Sequence, residues 1–112
     1  MKTSAIIVAA FLLANPASAG NFTSQNQSKC ESISKTAKTI MEARQSGVGM
    51  SKMMRLLREN AESVSYEVLE KVVANAYELP NWSTEKRQQE SIQDFGDKWY
   101  RVCYVILSEN EE

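Results

Sequence analysis

The sequence predicts an all-α protein: a compact antiparallel four-helix bundle that is tied by one disulfide after a signal peptide has been cleaved. Three observations lead to this prediction. The first twenty residues have the pattern of an export signal. Apolar residues then recur at intervals of three and four in four separate segments, and the only two cysteines stand near opposite ends of these segments. No segment shows the alternation of a half-buried strand.

Residues 1–19 are predicted to be the signal peptide. Lys2 gives the N-terminus a positive charge, and residues 5–14 are all apolar. Residues 17–19 are Ala-Ser-Ala, which places small residues at the two positions that signal peptidase recognises. The alternative is a transmembrane anchor, but ten apolar residues would span only about 15 Å of a hydrocarbon layer roughly 30 Å thick. We therefore expect a periplasmic protein, with secretion as the second choice, and no stable membrane anchor.

Composition limits the chemistry that is open to the mature chain. Without residues 1–19 it has 12 basic and 14 acidic residues, so we expect no basic face suited to nucleic acid. The lack of histidine excludes Ser-His-Asp and Cys-His catalysis and histidine-ligated zinc. A domain of this size buries only about 60–65% of its unfolded surface, so a covalent link would reinforce a marginal core.

Cys30 and Cys103 are predicted to form a disulfide. An oxidising compartment favours pairing, and closing so long a loop stabilises the folded state by about 4 kcal/mol in the chain-entropy description. The alternative is a reactive Cys30 thiol, but the chain has no Cys-x-x-Cys motif and only Lys29 as a basic neighbour in sequence. In an up-down-up-down bundle the two cysteine positions lie at the same end, which agrees with the pairing.

The helical domain is predicted to span 28–107, after a flexible polar arm at 20–27. Its first helix runs over 29–46, because Ser28 followed by Glu31 matches a capping box. This helix ends at Gly47, which stands where a left-handed residue closes a helix.

The second helix is predicted at 51–61, with Ser51 as its N-cap. Its start is a methionine-rich corner made of Met50, Met53 and Met54. Methionine fills cores, and it also lines adaptable binding surfaces. These three side chains are therefore candidates for partner binding, with core filling as the alternative.

The third helix is predicted over 66–79. Ser65 is its expected N-cap, and Val64 is expected to pack on Leu69 as a hydrophobic staple. Pro80 ends the helix, because proline cannot continue it.

The fourth helix, predicted over 84–107 with Ser83 as N-cap, has the clearest periodicity. Gly96 inside it costs about 1 kcal/mol relative to alanine, which indicates close packing against a neighbour. Its first two turns are polar on every side and are expected to project from the bundle, as a solvated extension or as a place for a partner. Residues 108–112 are expected to form a frayed acidic tail, since negative charge opposes the helix dipole there.

Trp82 and Arg87 complete the candidate partner-binding residues. We expect Trp82 to be exposed in the loop before the fourth helix, and tryptophan is enriched at interface hot spots. Arg87 belongs to the polar turns that follow. The carboxylates Asp94 and Asp97 each have a basic residue four positions on, which is typical of a solvated helix face. No catalytic residue, metal site or cofactor is therefore predicted.

Four segments of the mature chain carry a resemblance: Cys30, residues 40–47 (Ile-Met-Glu-Ala-Arg-Gln-Ser-Gly), residues 74–80 (Ala-Asn-Ala-Tyr-Glu-Leu-Pro), and residues 92–95 leading to Cys103. On these segments the chain resembles a group of small uncharacterised exported proteins of bacteriophages and prophages. The group brings no assigned activity, and the resemblance implies a phage-encoded factor that acts on a bacterial envelope. In size and helical class the chain is also similar to the acid-stress chaperones of the enteric periplasm.

These observations predict a non-enzymatic exported protein that binds an unknown protein partner in the periplasm or envelope. A phage-encoded factor of this kind would modulate the host envelope, in superinfection exclusion or in lysis, and a homodimer is a further option. The alternative function is a periplasmic acid or stress chaperone, because fourteen carboxylates without a histidine leave acid as the trigger. The third candidate function is a small envelope hydrolase, but the sequence offers no recognisable pair of catalytic nucleophile and general base.

Overall fold

The computed structural model describes residues 22–60 and 65–110, and 82% of these residues are helical. This part of the chain contains no strand, and its helices are α1 (Ser24–Gln45), α2 (Met50–Asn60), α3 (Tyr66–Ala76) and α4 (Glu85–Asn110). The all-α helical bundle that the apolar spacing predicts is confirmed. The predicted signal peptide, the Val64 staple and the last two residues lie outside the described residues.

The two long helices, α1 and α4, form the most extensive helix pair and run antiparallel. Cys30, near the start of α1, is bonded to Cys103, near the end of α4, with their Cα atoms 5.5 Å apart, so the predicted disulfide is confirmed. Farther along α1, the Ser34 hydroxyl donates a hydrogen bond to the Gly96 carbonyl at 2.9 Å. The small residue at 96 lets the two helices approach closely, as the sequence predicted.

The two short helices, α2 and α3, form an antiparallel hairpin that packs on α1. At one end of this hairpin, the Arg58 guanidinium donates a hydrogen bond to the Tyr66 hydroxyl at 3.1 Å. At the other end, the Tyr77 hydroxyl donates to the carbonyl of Val48. Each helix therefore runs opposite to the one before it, and α1 contacts all three others.

One hydrophobic core joins the four helices. Its largest fully buried side chains include Ile40 and Met41 of α1, Val72 and Val73 of α3, and Phe95 of α4. The remaining core members are likewise apolar and at most 9% exposed: Ala37, Met53, Leu57, Leu69, Ala76 and Ile92.

The core stops short of the disulfide. Its last members toward that end are Ala37 on α1 and Phe95 on α4, and the two cysteines lie about two helical turns beyond them, roughly 10–12 Å along the axes. The hairpin helices have 11 residues each, whereas α1 has 22 and α4 has 26. The long helices therefore continue past the short hairpin, and the disulfide links them at the edge of the buried cluster, beside the partly buried Val68 and Trp99.

The start of α1 corrects the prediction of a flexible arm at residues 24–27, which are helical; residues 20 and 21 of the predicted arm lie outside the described residues. The helix begins at Ser24, four residues before the predicted cap, and the Thr23 hydroxyl accepts a hydrogen bond from the Asn26 amide at 3.1 Å. Phe22 packs on Tyr104 of α4 with ring centroids 4.7 Å apart. This contact with a distant residue favours the earlier start, so residue 28 lies inside the helix and not at its cap.

The ends of α3 and α4 also differ from the prediction. α3 ends at Ala76, three residues early, because the chain passes into a turn before Pro80. Thr84, and not Ser83, caps α4, since its hydroxyl accepts from the Arg87 amide at 3.2 Å. At its other end α4 continues to Asn110, so the first three residues of the predicted frayed tail are helical.

Two predicted helix-end signals are confirmed. Gly47 has φ +94°, the left-handed conformation that favours glycine after a helix. The Ser65 hydroxyl accepts a hydrogen bond from the Val68 amide at 3.3 Å and so caps α3. Both signals act within three residues of the position that carries them, which is why the sequence reveals them.

Candidate functional site

The loop between α3 and α4 is held by side chains from the end of α1. The Gln45 side chain, only 7% exposed, donates to the Pro80 carbonyl at 2.9 Å and accepts from the Trp82 amide at 2.8 Å. Beside it, the Arg44 guanidinium donates to the Leu79 carbonyl at 3.0 Å. Three successive parts of the loop backbone are thereby fixed to α1.

Trp82 is half-buried, which corrects the expectation that it would be exposed. Its carbonyl accepts a hydrogen bond from the Gln88 side chain at 2.8 Å, so its backbone is held from both α1 and α4. The Arg87 guanidinium lies 4.7 Å from the centre of the indole ring. The fixed backbone brings the ring against the first turns of α4, which are tied to the loop and do not simply project into solvent.

Two of the sequence-predicted residues, Trp82 and Arg87, thus come together in one groove of about 310 Å³, here called the Trp82 groove. The loop contributes Leu79, Pro80 and Trp82, and α4 contributes Arg87, Glu90, Ser91, Asp94, Phe95 and Lys98. Phe95 is 2% exposed and belongs to the core. The floor of the groove is therefore apolar, and its rim is charged.

The charges around the Trp82 groove are not equivalent. Arg87 lies over the indole, and the Lys98 ammonium donates to the Asn75 side chain at 2.6 Å. The exposed carboxylates Glu90 and Asp94, four residues apart on α4, make no hydrogen bond or ion pair within residues 22–60 and 65–110. Arg87 and Lys98 therefore already interact with neighbouring side chains, whereas the carboxylates of Glu90 and Asp94 remain available to a ligand.

The three methionines lie elsewhere and do not share one environment. Met53 is 6% exposed and belongs to the core, Met54 is half-buried against it, and Met50 is 40% exposed. Met54 also lines a shallow pocket that α2 and α3 share, beside Arg58 and Tyr66. Core filling is therefore confirmed for Met53, and none of the three lines the Trp82 groove.

A second surface lies at the disulfide end. An apolar groove of about 210 Å³ is lined by residues of α1, α3 and α4: Lys29, Ile33, Val68, Trp99, Val102, Cys103, Ile106 and Leu107. Ile106 of this lining is 50% exposed, and its neighbours in sequence Tyr104 and Val105 are 46% and 44% exposed. The sequence signal for this surface was the uninterrupted apolar run 102–107, which is too long to be buried on one side of a helix.

Among the ionisable groups that the structure describes, Tyr77 and Arg58 have pKa values displaced by their surroundings, and both lie at the ends of the α2–α3 hairpin. Partial burial raises the pKa of the Tyr77 phenol, and the nearby Arg44 charge acts in the opposite direction. Hydrogen bonding to Tyr66 raises the pKa of Arg58. Both shifts favour the protonated state, so these groups act as hydrogen-bond donors.

The described residues contain no group of three or more cysteine or carboxylate side chains placed to hold a metal ion. Within the same ranges, no helix is long and apolar enough to cross a membrane. Comparison of the chain with protein-family models, with curated proteins and with solved structures finds no match.

Proposed function

We propose that this chain is an exported, non-enzymatic protein that binds a segment of another protein in the Trp82 groove. The observation that carries the proposal is the double attachment of the Trp82 backbone, by Gln45 from α1 and by Gln88 from α4. An indole wall and an apolar floor are thereby in place before a ligand arrives. Such preorganisation lowers the entropy lost on binding.

The groove favours a ligand segment in which an apolar side chain stands next to lysine or arginine. The apolar side chain would contact Leu79, Trp82 and Phe95. The neighbouring cation would meet Glu90 and Asp94, which have no other partner among the described residues. Opposite charges at the rim of an apolar contact select the orientation of a ligand and speed its association.

We further propose the periplasm as the compartment and the bacterial envelope as the place of action. The export pattern of residues 1–19 supports the first part, together with the disulfide, since disulfides persist in oxidising compartments. The resemblance to exported phage and prophage proteins supports a factor that modulates the host envelope in superinfection exclusion or lysis. The test is to determine the N-terminus of the protein in the periplasmic fraction, which we expect to be Gly20.

The binding proposal can be tested by photo-crosslinking in cells that export the protein. A benzoylphenylalanine placed at Ser91, inside the groove, is expected to give a discrete adduct with one envelope or periplasmic protein. The same group at Lys71, which is exposed on α3, serves as the matched control. Mass spectrometry of the adduct should find the crosslink within a segment that has an apolar residue beside lysine or arginine.

Charge reversal then distinguishes specific binding from chance proximity. The double variant Glu90→Lys/Asp94→Lys alters two exposed side chains and leaves the core unchanged, so the protein should fold and the adduct from Ser91 should be lost. Lys86→Glu, an exposed reversal in the first turn of α4 outside the groove lining, should retain it. An adduct of equal strength from Lys71, or one that survives the double reversal, would contradict binding in the Trp82 groove.

An acid or stress chaperone is the second candidate, and the exposed side chains of Tyr104, Val105 and Ile106 favour it. Exposed apolar surface can hold unfolded clients, and protonation of carboxylates at low pH would enlarge it. The expected result is protection of an aggregating client at about pH 3, the range in which carboxylates protonate. A client that aggregates equally with and without the protein at this pH would exclude this function.

A further inference from the structure

The last turns of α4 carry more apolar surface than the fold buries. Residues 102–107 are six consecutive apolar residues, so they cover the full circumference of the helix. Cys103 is buried, whereas Val105 and Ile106 are 44% and 50% exposed. A helix that packs on one side only normally has one apolar stripe, and a longer exposed apolar run indicates a second contact surface.

Charged side chains flank this apolar segment in a definite order. Arg101, Val105 and Glu109 are spaced four residues apart and are all exposed, so they follow one another along one side of α4. The basic residue precedes the apolar centre, and the acidic residue follows it. Arg101 and Glu109 are two turns apart, which is too far for them to pair within the helix.

We propose that a second copy of this chain covers the surface, with the two α4 helices packed antiparallel around Val105. A two-fold axis near Val105 brings Arg101 of each copy opposite Glu109 of the other, because the two positions are equally distant from the centre. Each contact then occurs twice, as in any isologous dimer. The apolar side chains of Val102 and Ile106 meet between the two charged pairs.

The charge order is the reason for choosing this occupant. A parallel copy would place like charges opposite each other, whereas the antiparallel copy pairs unlike charges at both edges. An anionic lipid surface would attract Arg101 and repel Glu109 at the other edge of the same patch. The apolar groove beside the helix, with Ile33 and Val68 in its lining, provides additional area for the second copy.

The proposal is tested by measuring the mass of the oxidised, exported protein in solution by sedimentation equilibrium. We expect a reversible monomer–dimer equilibrium in the micromolar range, as is usual for a small interface. Each single reversal, Arg101→Glu or Glu109→Arg, should weaken the dimer at least about fivefold. The double variant Arg101→Glu/Glu109→Arg should restore the affinity to within about threefold of the original, because the unlike pairs form again.

Both substituted side chains are exposed, so helix content and the intact disulfide serve as checks on folding. Lys71→Glu, an equally exposed reversal on α3, should leave the dimer unchanged. A protein that stays monomeric throughout the micromolar range would overturn the inference. The inference would also be overturned if the double variant dimerised as weakly as the single variants, since Arg101 and Glu109 of the two copies would then not face each other. The Trp82 groove lies near the other end of α4, so this outcome is independent of the binding proposal.

Discussion

Gln45 shows how one buried polar side chain can define a surface. Its amide donates to the Pro80 carbonyl and accepts from the Trp82 amide, and both groups belong to a loop that follows α3. A loop without regular structure leaves its backbone groups unpaired unless a side chain or water reaches them. Gln45 therefore determines where the indole of Trp82 lies.

Replacing this side chain should weaken the fold measurably. We expect Gln45→Leu, which is similar in volume, to lower the free energy of unfolding by about 2 kcal/mol, because two loop backbone groups lose their partner. Urea unfolding followed by circular dichroism measures the change. Gln88→Leu, which removes one hydrogen bond at a less buried site, should cost less than half as much. Equal losses in the two variants would show that Gln45 has no special role.

Tyr77 gives a prediction about alkaline pH. Burial raises the pKa of its phenol in the folded state, so the unfolded chain, with a pKa of about 10, loses this proton first as pH rises. The stabilisation is fully present below about pH 10 and is lost as pH rises through the folded-state value. The stability of the original protein should therefore fall toward that of Tyr77→Phe as pH rises above about 10 and through the raised folded-state pKa.

Unfolding curves of both proteins at matched pH values test this prediction. The difference between them isolates Tyr77 from the lysines, which titrate in the same range in both proteins. Near neutral pH, Tyr77→Phe should be the less stable protein, since the Val48 carbonyl loses its donor. A stability difference that does not shrink as pH rises above about 10 would contradict the assigned role.

Individual residues differ in how far the sequence reveals them. Gly47 and Ser65 were predicted correctly because each acts on its own helix end. The importance of Gln45 was not predicted, because its partners lie 35 and 37 positions away and no local pattern marks such a contact. Trp82 was singled out for its residue type alone, and its half-burial depends on that same distant side chain.

At the level of helices, the sequence located the elements better than their ends. All four predicted helices are present, but α1 begins at Ser24 because Phe22 packs on Tyr104 and the Thr23 cap is used. The capping-box pattern at Ser28 was therefore misleading. Several residues in this region have cap-forming side chains, and a tertiary contact decides which of them the helix uses.

Gly96 permits a test of helix packing. A Cβ atom at this position would lie 2.5 Å from Cγ and Cε of Lys38, whose side chain crosses the glycine. In the Lys38→Ala background this obstacle is absent, so Gly96→Ala should raise the free energy of unfolding by about 1 kcal/mol through helix propensity. In the original protein the same substitution should raise the free energy of unfolding by less than this, or lower it, because the Lys38 side chain must move.

Thermal or urea unfolding of the four proteins in this cycle measures the coupling between the two positions. Gly47→Ala is a useful contrast. It should destabilise in either background, because φ is +94° at this position. Equal effects of Gly96→Ala with and without the Lys38 side chain would show that the contact between Lys38 and position 96 does not affect stability.

For the whole molecule, the sequence predicted the class, the four helices found within residues 22–60 and 65–110, and the disulfide. Apolar spacing within each segment was sufficient for the helices, and the positions of the two cysteines indicated which ends meet. The two grooves were not predicted. The apolar groove combines residues of three helices, and the Trp82 groove combines a loop with α4, so both depend on how the elements pack.

Removing the disulfide should affect one end of the molecule most. We expect Cys30→Ser/Cys103→Ser to lower the free energy of unfolding by about 4 kcal/mol, the loop-closure value for a link between residues 73 positions apart. Hydrogen exchange should accelerate first at the start of α1 and the end of α4, because beyond Ala37 and Phe95 no further member of the buried cluster joins these two helices.

The core around Ile40 and Val73 should exchange only through global unfolding and so serves as the internal reference. A uniform increase of the hydrogen-exchange rate in all four helices would mean that the disulfide stabilises the entire fold equally. Intact protection at Ser24–Cys30 without the link would mean that the helix pair holds together by packing alone.

The Cys30–Cys103 bond also turns most of the folded chain into a covalent ring. Hydrolysis of any single peptide bond within this ring opens it without releasing a fragment. A protease that cuts once between α2 and α3 would leave a nicked but undivided body, whose pieces separate only after reduction. In an environment rich in proteolytic enzymes, such a topology allows the protein to survive a break that would split an uncrosslinked bundle in two.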